Sequence, residues 1–300
     1  MRRILWLVLV ALATGATAAE RRAQPPLAVG EIVAKNVEAR GGLDAWRKID
    51  TMIWLGHIET VRAPLEGMPF MLEMKRPRMT RFELKAPTEQ TVRAFDGKNG
   101  WKARPGHNGQ QDVKSFTADE LRFAKDGEGL DGLLIDCEAK GIRVALDGEE
   151  TIEGARAYRL RVEMPSGAVR RVWVDAHSFL ELRQDREART AAGAVAGIVQ
   201  VHYRNYQTVG GVKLPMTIET GSAGTKAVDK MLIERVAMNP PLDNQRFARP
   251  HGTRSNMVTV TAEPVRPGVS QAPSRPVPDS AQPGSGGANA APTSEVPKPR

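Results

Sequence analysis

Apolar and polar side chains alternate with a period of two along several stretches of the chain. Residues 158–164 alternate between apolar and charged types, and 80–85 and 199–204 do the same. Because successive side chains of a strand point to opposite faces, this pattern predicts strands with one buried and one solvated face. Turn-forming sequences separate these stretches, which indicates hairpins and an antiparallel sheet. The predicted turns lie at 96–100, 147–148, 153–154, 166–167 and 210–211.

Helical spacing replaces this alternation in a few places. Apolar residues within 29–37 recur at intervals of three and four, and the glycine pair at 41–42 ends the run. A short helical turn is predicted for 43–48. The capping-box sequence Thr-Ala-Asp-Glu at 117–120 predicts another helix that ends near Lys125. We therefore expect two or three helices that cover the apolar face of a curved sheet of about ten strands.

The N-terminal residues have the pattern of an export signal. Arg2 and Arg3 precede an apolar run at 4–12 that is too short to span a bilayer, and small residues follow at 16–18. The pattern favours a signal peptide at 1–19 that is removed on export; the alternative is an uncleaved anchor. In a bacterium, export of this kind places the protein in the periplasm.

The C-terminal residues differ in composition from the rest. From about Pro250 the chain is rich in Pro, Ser, Gly and Ala, so it cannot bury enough apolar surface to offset its ordering entropy. This predicts a disordered tail at 250–300, which is either a dispensable end or a tether. The remaining residues, 20–249, are predicted to form a single domain.

Charge and cysteine usage narrow the function classes. The formal charge is +8, but removing the two arginines of the signal and the tail's surplus of three leaves +3 for the predicted domain. That balance gives no support to nucleic-acid binding. Cys137 is the single cysteine, so no intramolecular disulfide can form, and it is predicted to be a small buried side chain.

The patterns that suggest chemistry are all weak. The Gly-x-Gly-x-x-Gly sequence at 127–132 follows a charged helical segment, not a buried strand, so it predicts a loop and no nucleotide cofactor. The five histidines form no close pair, so no metal site is expected. Asp175, His177 and Ser178 are triad-like by type, but neighbours on one strand end do not align as nucleophile and base. We expect neither an enzyme nor a cofactor.

Methionine is concentrated near one predicted hairpin. Met68, Met71, Met74 and Met79 lie close together, and Met52 precedes them. A flexible, polarizable side chain suits a surface that accepts apolar chains of variable shape, but it also fills irregular cores. Composition alone leaves both interpretations open. Aromatic residues at 46, 54, 70, 82 and 101 are further candidates for a cavity wall.

Several longer motifs resemble a known family. Residues 36–46, 95–101 and 172–183, together with 203–215 and 240–247, are similar in order and spacing to the outer-membrane lipoprotein-sorting proteins, the group related to the periplasmic carrier LolA and its receptor LolB. The resemblance implies an open, incomplete antiparallel β-barrel of about eleven strands, mainly β, with helices over an apolar cavity. It also implies a non-enzymatic carrier or binder of acyl chains, on lipid or lipoprotein cargo, with inner- or outer-membrane transport proteins as candidate partners.

Candidate cavity residues follow from these patterns. A buried apolar chain contributes about 0.8 kcal/mol per CH₂ group, so a cavity can hold lipid without chemistry. Two alternatives stay open: a lipid-sensing or scaffold module that binds an envelope protein, and an enzyme with an unrecognised site. The predicted lining residues are Trp54, Phe70, Met71, Met74, Phe82, Leu84, Trp101, Tyr158 and Leu160.

Overall fold

The structure is a computed structural model, and it describes residues 27–60, 63–86, 89–106, 110–189, 195–225 and 228–250. The predicted signal peptide at 1–19 and the tail at 250–300 therefore lie outside the described residues, apart from Pro250. No helix in the described ranges is long and apolar enough to cross a lipid bilayer.

Three α-helices occur in the described part of the chain. They are α1 (Val29–Ala39), α2 (Leu43–Arg47) and α3 (Ala118–Lys125). The three predicted helical segments are thus confirmed. At the start of α3, the Thr117 hydroxyl accepts from the backbone N–H of Glu120, and the Glu120 carboxylate accepts from the backbone N–H of Thr117. This is the predicted capping box.

Thirteen strands in the described residues form one antiparallel sheet. Its order is β6-β5-β4-β3-β2-β1-β13-β12-β11-β10-β9-β8-β7. The edge strands β6 and β7 do not pair with each other, so the sheet is an open barrel covered by helices, as expected. The strands are β1 (Thr51–Thr60), β2 (Ala63–Lys75), β3 (Met79–Lys85), β4 (Gln90–Phe95), β5 (Gly100–Pro105), β6 (Gln111–Ser115), β7 (Arg143–Ile152), β8 (Ala155–Glu163), β9 (Val169–Asp175), β10 (Glu181–Arg189), β11 (Val195–Val209), β12 (Val212–Ser222) and β13 (Val228–Met238).

Four of the five predicted turns connect neighbouring strands as expected. The prediction for 147–148 was wrong, because these residues lie inside β7. There the β7–β8 pairing shifts register between Leu146 and Gly148, and Gly148 has a φ of 128°. The Asp-Gly pair forms a bulge, which accommodates the same residue types as a turn.

The two faces of the sheet are covered by different parts of the protein. The inner face bears Trp54 and Val172 and is covered by the three helices. One inner-face cluster places Ile32 of α1 against Tyr158 and Leu160 of β8. A second packs Trp46 of α2 against residues of β1, β2, β12 and β13. The helices therefore supply the apolar cover that a one-sided sheet requires.

The outer face holds the last described segment of the chain. Phe247 is fully buried against Ile53 and, with Leu242, forms a cluster that includes Met71. The Arg246 guanidinium lies 2.7 Å from the carboxylate of Glu73, which is itself fully buried. Residues up to 247 are thus an integral part of the fold.

Candidate functional site

A cavity of about 610 Å³ lies between the inner face, α3 and the loop at 127–133. This volume is within the range of ligand pockets in proteins. Phe123 of α3 lies on the cavity wall and is 49% exposed, so one side of the cavity opens to solvent. The wall is largely apolar, with Trp54, Leu72, Met74, Phe82, Phe95, Phe116, Leu130, Leu214, Ile218 and Met231 among its residues.

Three predicted lining residues line this cavity. Trp54 of β1, Met74 of β2 and Phe82 of β3 are neighbours on the inner face. Phe70 and Leu84 lie on the same face but do not reach the cavity. They pack in the adjoining cluster, where the Phe70 and Phe82 rings stack with centroids 5.9 Å apart.

Two more predicted residues lie on the inner face under helical cover. Tyr158 and Leu160 pair with Val174 and Val172, and Val172 is a cavity residue. However, Ile32 of α1 packs over Tyr158 and Leu160. Protein, not open space, occupies this part of the inner face.

The last two predicted residues are on the outer face. Met71 packs with Ile53 and Phe247, on the side of β2 opposite to Met74. Trp101 donates from Nε1 to the Phe247 carbonyl at 2.9 Å and packs with Val92. Strand alternation explains the Met71 result, because residues an odd number of positions apart point to opposite faces.

One end of the cavity is polar. Arg40, which follows α1, lies 3.1 Å from the Glu181 carboxylate of β10, and both are buried. The Tyr206 hydroxyl donates to the Glu181 carbonyl at 3.0 Å. On the same side, Glu128 accepts from the Gln184 amide at 2.8 Å and from the Tyr203 hydroxyl at 3.3 Å.

Burial and charge set the ionisation of this polar end. Burial raises the pKa of Tyr203 and Tyr206 well above the usual value, and the carboxylates of Glu128 and Glu181 raise it further. Both phenols are therefore neutral hydrogen-bond donors. Burial opposes the charge on the Arg40 guanidinium, but Glu181, assisted by Tyr206, Tyr203 and Asp131, outweighs burial and raises the pKa of Arg40, so the group stays charged.

Sequence patterns missed this polar end. Arg40, Glu128 and Glu181 lie in three separate segments, and folding brings them together. The one local signal was the glycine-rich stretch at 127–132, whose residues Gly127, Glu128 and Gly129 line the cavity. No sequence periodicity marks a loop of this kind.

The arginines that alternate along β8 and β11 are not at the cavity. Arg159 pairs with Asp147 and Glu150, and Arg204 pairs with Glu153 and Glu219. They belong to a solvated, ion-paired surface.

The triad-like residues are explained by a turn, since Asp175 accepts from the backbone N–H groups of His177 and Ser178. In the described ranges no group of three or more His, Cys, Asp or Glu side chains could hold a metal ion.

Comparisons with known proteins bear on the fold. No family model matches the chain, and no curated protein sequence matches it. Among solved structures, a DUF1329 family protein from Desulfovibrio piger is similar with a TM-score of 0.50 and 12% identity, over 74% of this chain and 98% of that one. At this identity the likeness concerns the fold alone.

Two further structures carry the family description suggested by the sequence motifs. A LolA superfamily protein from Nitrosomonas europaea has a TM-score of 0.47 and 11% identity, covering 75% of this chain and 99% of that chain. A putative outer membrane lipoprotein-sorting protein domain from Vibrio parahaemolyticus has a TM-score of 0.48 and 13% identity, covering 72% and 94%.

Proposed function

We propose that this protein is an exported, non-enzymatic carrier or binder of acyl chains. The observation that carries the proposal is the largely apolar cavity of about 610 Å³ between the inner face and α3. Its apolar side chains come from β1, β2, β3, β12 and β13 and from α3, so the fold maintains an apolar space instead of filling it. A cavity of this composition favours a ligand that is mostly hydrocarbon.

The energetics of the cavity suit an acyl chain. Each CH₂ group moved from water into an apolar site contributes about 0.8 kcal/mol, so ten groups supply several kcal/mol before the costs of ordering. Met74 and Met231 on the wall adapt to chains of different shape. Binding by burial needs no catalytic group. The polar side chains at the end of the cavity form hydrogen bonds with one another.

Helix α3 is the natural gate for such a ligand. None of its residues is buried, and its contacts to the sheet include the ion pairs from Glu120 to Arg93 and Lys102 and the Arg186 guanidinium against the Phe123 ring. A helix held by few apolar contacts opens at low cost. In the proposal, α3 moves outward to admit the chain while α1, which packs on β8, stays in place.

The proposed setting is the bacterial envelope. The predicted export signal supports the periplasm, where lipid or lipoprotein must be sheltered from water in transit between membranes. The cargo is an acyl lipid or lipoprotein, and inner- or outer-membrane transport proteins are the proposed partners. The resemblance of the motifs to lipoprotein-sorting proteins supports this setting.

The test measures bound and added lipid. The mature protein is purified without detergent and studied by native mass spectrometry, and then titrated with a fluorescent long-chain fatty acid. We expect a copurified acyl lipid or micromolar binding of the probe. Ile218→Glu places a charge on the cavity wall and is expected to weaken binding at least tenfold.

Leu146→Glu is the matched control, because Leu146 is exposed on β7 and does not line the cavity. It should leave probe binding within twofold of the wild type. A wild-type protein that carries no lipid and binds no probe would refute the proposal. It would favour a module that binds an envelope protein through its surface.

A further inference from the structure

Two arginines of the cavity wall, Arg78 and Arg186, form no ion pair within the described residues. Among the charged residues of the wall, Arg40 pairs with Glu181 and Arg93 pairs with Glu120. Arg186 of β10 also lines the cavity but, within the described part of the chain, forms no ion pair. Its guanidinium carbon instead lies 4.7 Å from the ring centroid of Phe123, at the side that opens to solvent.

The surroundings of Arg186 do not neutralise it. Glu128 supplies negative charge to Arg186, but that carboxylate already faces the Arg170 guanidinium at 3.5 Å and accepts from Gln184 and Tyr203. Arg170 pairs directly across the strands with Arg186. Burial lowers the pKa of Arg186, and repulsion from Arg170 lowers it further. The guanidinium nevertheless stays charged at neutral pH.

A partly desolvated cation beside an apolar cavity favours a particular ligand. Its five N–H donors match phosphate or carboxylate oxygens, and charge-assisted hydrogen bonds of this kind are among the strongest in proteins. A chain that fills the apolar end would place its polar group at the open side, next to Arg186 and Phe123. Arg78, which also lines the cavity, donates to the Lys125 carbonyl and adds positive charge there.

We propose that the cavity selects anionic amphiphiles. Arg186 binds the phosphate or carboxylate head of the ligand, while the acyl chain of the ligand packs against the apolar wall. This rests on the proposed function, since it names the class of acyl ligand. The Arg186 guanidinium at the open side of the cavity provides the specificity for the head group, and the apolar wall provides most of the affinity.

The experiment compares two amphiphiles with the same chain. Isothermal titration calorimetry of the mature protein measures Kd for dodecyl phosphate and for dodecyl maltoside, each below its micelle concentration. We expect dodecyl phosphate to bind at least about tenfold more tightly, in line with a charge-assisted hydrogen bond. In Arg186→Gln the ratio of the two Kd values should fall to within about threefold of one.

Arg171→Gln is the matched control. Arg171 is the neighbour of Arg170 on β9, is about half exposed and pairs with Asp147, so its loss changes net charge equally without touching the cavity. It should keep the wild-type ratio. If Arg186→Gln fails to fold, the salt dependence of the wild-type ratio replaces it, because the preference for the anion must shrink as screening increases.

The outcomes separate the two proposals. Equal affinities in the wild type, or an unchanged ratio in Arg186→Gln, would overturn the selection of anionic heads and leave acyl binding standing. No binding of either amphiphile would refute acyl binding itself, and the inference with it. Inorganic phosphate at the same concentration should not compete. Competition at equal affinity would mean that the site takes a free anion.

Discussion

Arg40 and Glu181 are separated by 141 residues in sequence, and a buried ion pair of 3.1 Å joins them. Arg40 also donates to the Asp131 carbonyl at 3.2 Å and stacks on the ring of Trp46. One guanidinium therefore connects the end of α1 with β10, with α2 and with the loop that lines the cavity. The helical cover and the sheet are coupled at this point.

Breaking this pair should destabilise the fold. Glu181→Gln leaves the buried Arg40 charge without a counter-ion, and we expect the free energy of unfolding to fall by about 3 kcal/mol. The double variant Arg40→Met with Glu181→Leu should be less destabilised than Glu181→Gln. Urea unfolding followed by tryptophan fluorescence measures both. Glu163→Gln, which removes a partner of the exposed Arg161, should change the free energy of unfolding far less, because a surface ion pair contributes little. An equal decrease in the free energy of unfolding for Glu181→Gln and Glu163→Gln would contradict the expectation.

The glycine pair after α1 gives an internally controlled test. Gly41 and Gly42 both have positive φ, at 109° and 85°. A Cβ at Gly41 would lie 2.4 Å from the Gly211 carbonyl oxygen, whereas a Cβ at Gly42 would meet nothing within 4 Å. Gly42→Ala should therefore cost about 1 kcal/mol from backbone strain alone, and Gly41→Ala at least about 2 kcal/mol more. Similar denaturation midpoints for the two variants would rule out close packing of α1 on the 210–211 turn.

Glu120 should make stability depend on acid pH. Burial raises its pKa, but hydrogen bonds from Lys102, the Thr117 N–H and Arg93 outweigh burial and lower the pKa from 4.5 to about 2. A depressed pKa in the folded state means that the charge contributes stability above pH 4.5 and loses it as pH falls towards about 2.

We expect Glu120→Gln to be less stable than the wild type by about 0.5–1 kcal/mol at pH 7, because the variant keeps the cap but loses the ion pairs. The difference should shrink steadily below pH 4.5. Urea midpoints at several pH values measure it. Glu138→Gln changes an exposed side chain and should show little difference at any pH. A pH-independent gap for Glu120→Gln would disprove the ionic explanation.

Cys137 should be unreactive in the folded protein. The side chain is buried beside Leu134 and Ile142, and burial raises the pKa of its thiol. Since the thiolate is the reactive form, we expect labelling by a disulfide reagent to be at least about a hundredfold slower in buffer than in urea. Rapid labelling of the native protein would show that the segment at 133–142 opens readily.

The sheet and helices could be predicted because local rules determine them. The period of two at 158–164 and the capping box at 117–120 required no knowledge of distant residues. The bulge at Gly148 was the exception. An Asp-Gly pair satisfies a turn or a bulge equally well, and only the register of β8 decides between them.

The cavity was harder to predict. Alternation placed Trp54, Met74 and Phe82 on one face, but it could not show that α1 fills the space above Tyr158 and Leu160. Which part of an apolar face stays open depends on where the helices dock. The polar end of the cavity could not be predicted from sequence patterns for a related reason. Its charged residues are far apart in the sequence and meet only in the folded protein.

The C-terminal segment on the outer face determines how the protein can be attached to anything else. Phe247, Arg246 and Lys75 hold this segment, with the Lys75 ammonium 2.6 Å from the Leu242 carbonyl. Arg249 then reaches the edge strand β6 at Ser115. A linker, affinity label or surface coupling that follows Pro250 therefore starts behind the sheet, and immobilisation through it would leave the opening beside Phe123 facing the solution.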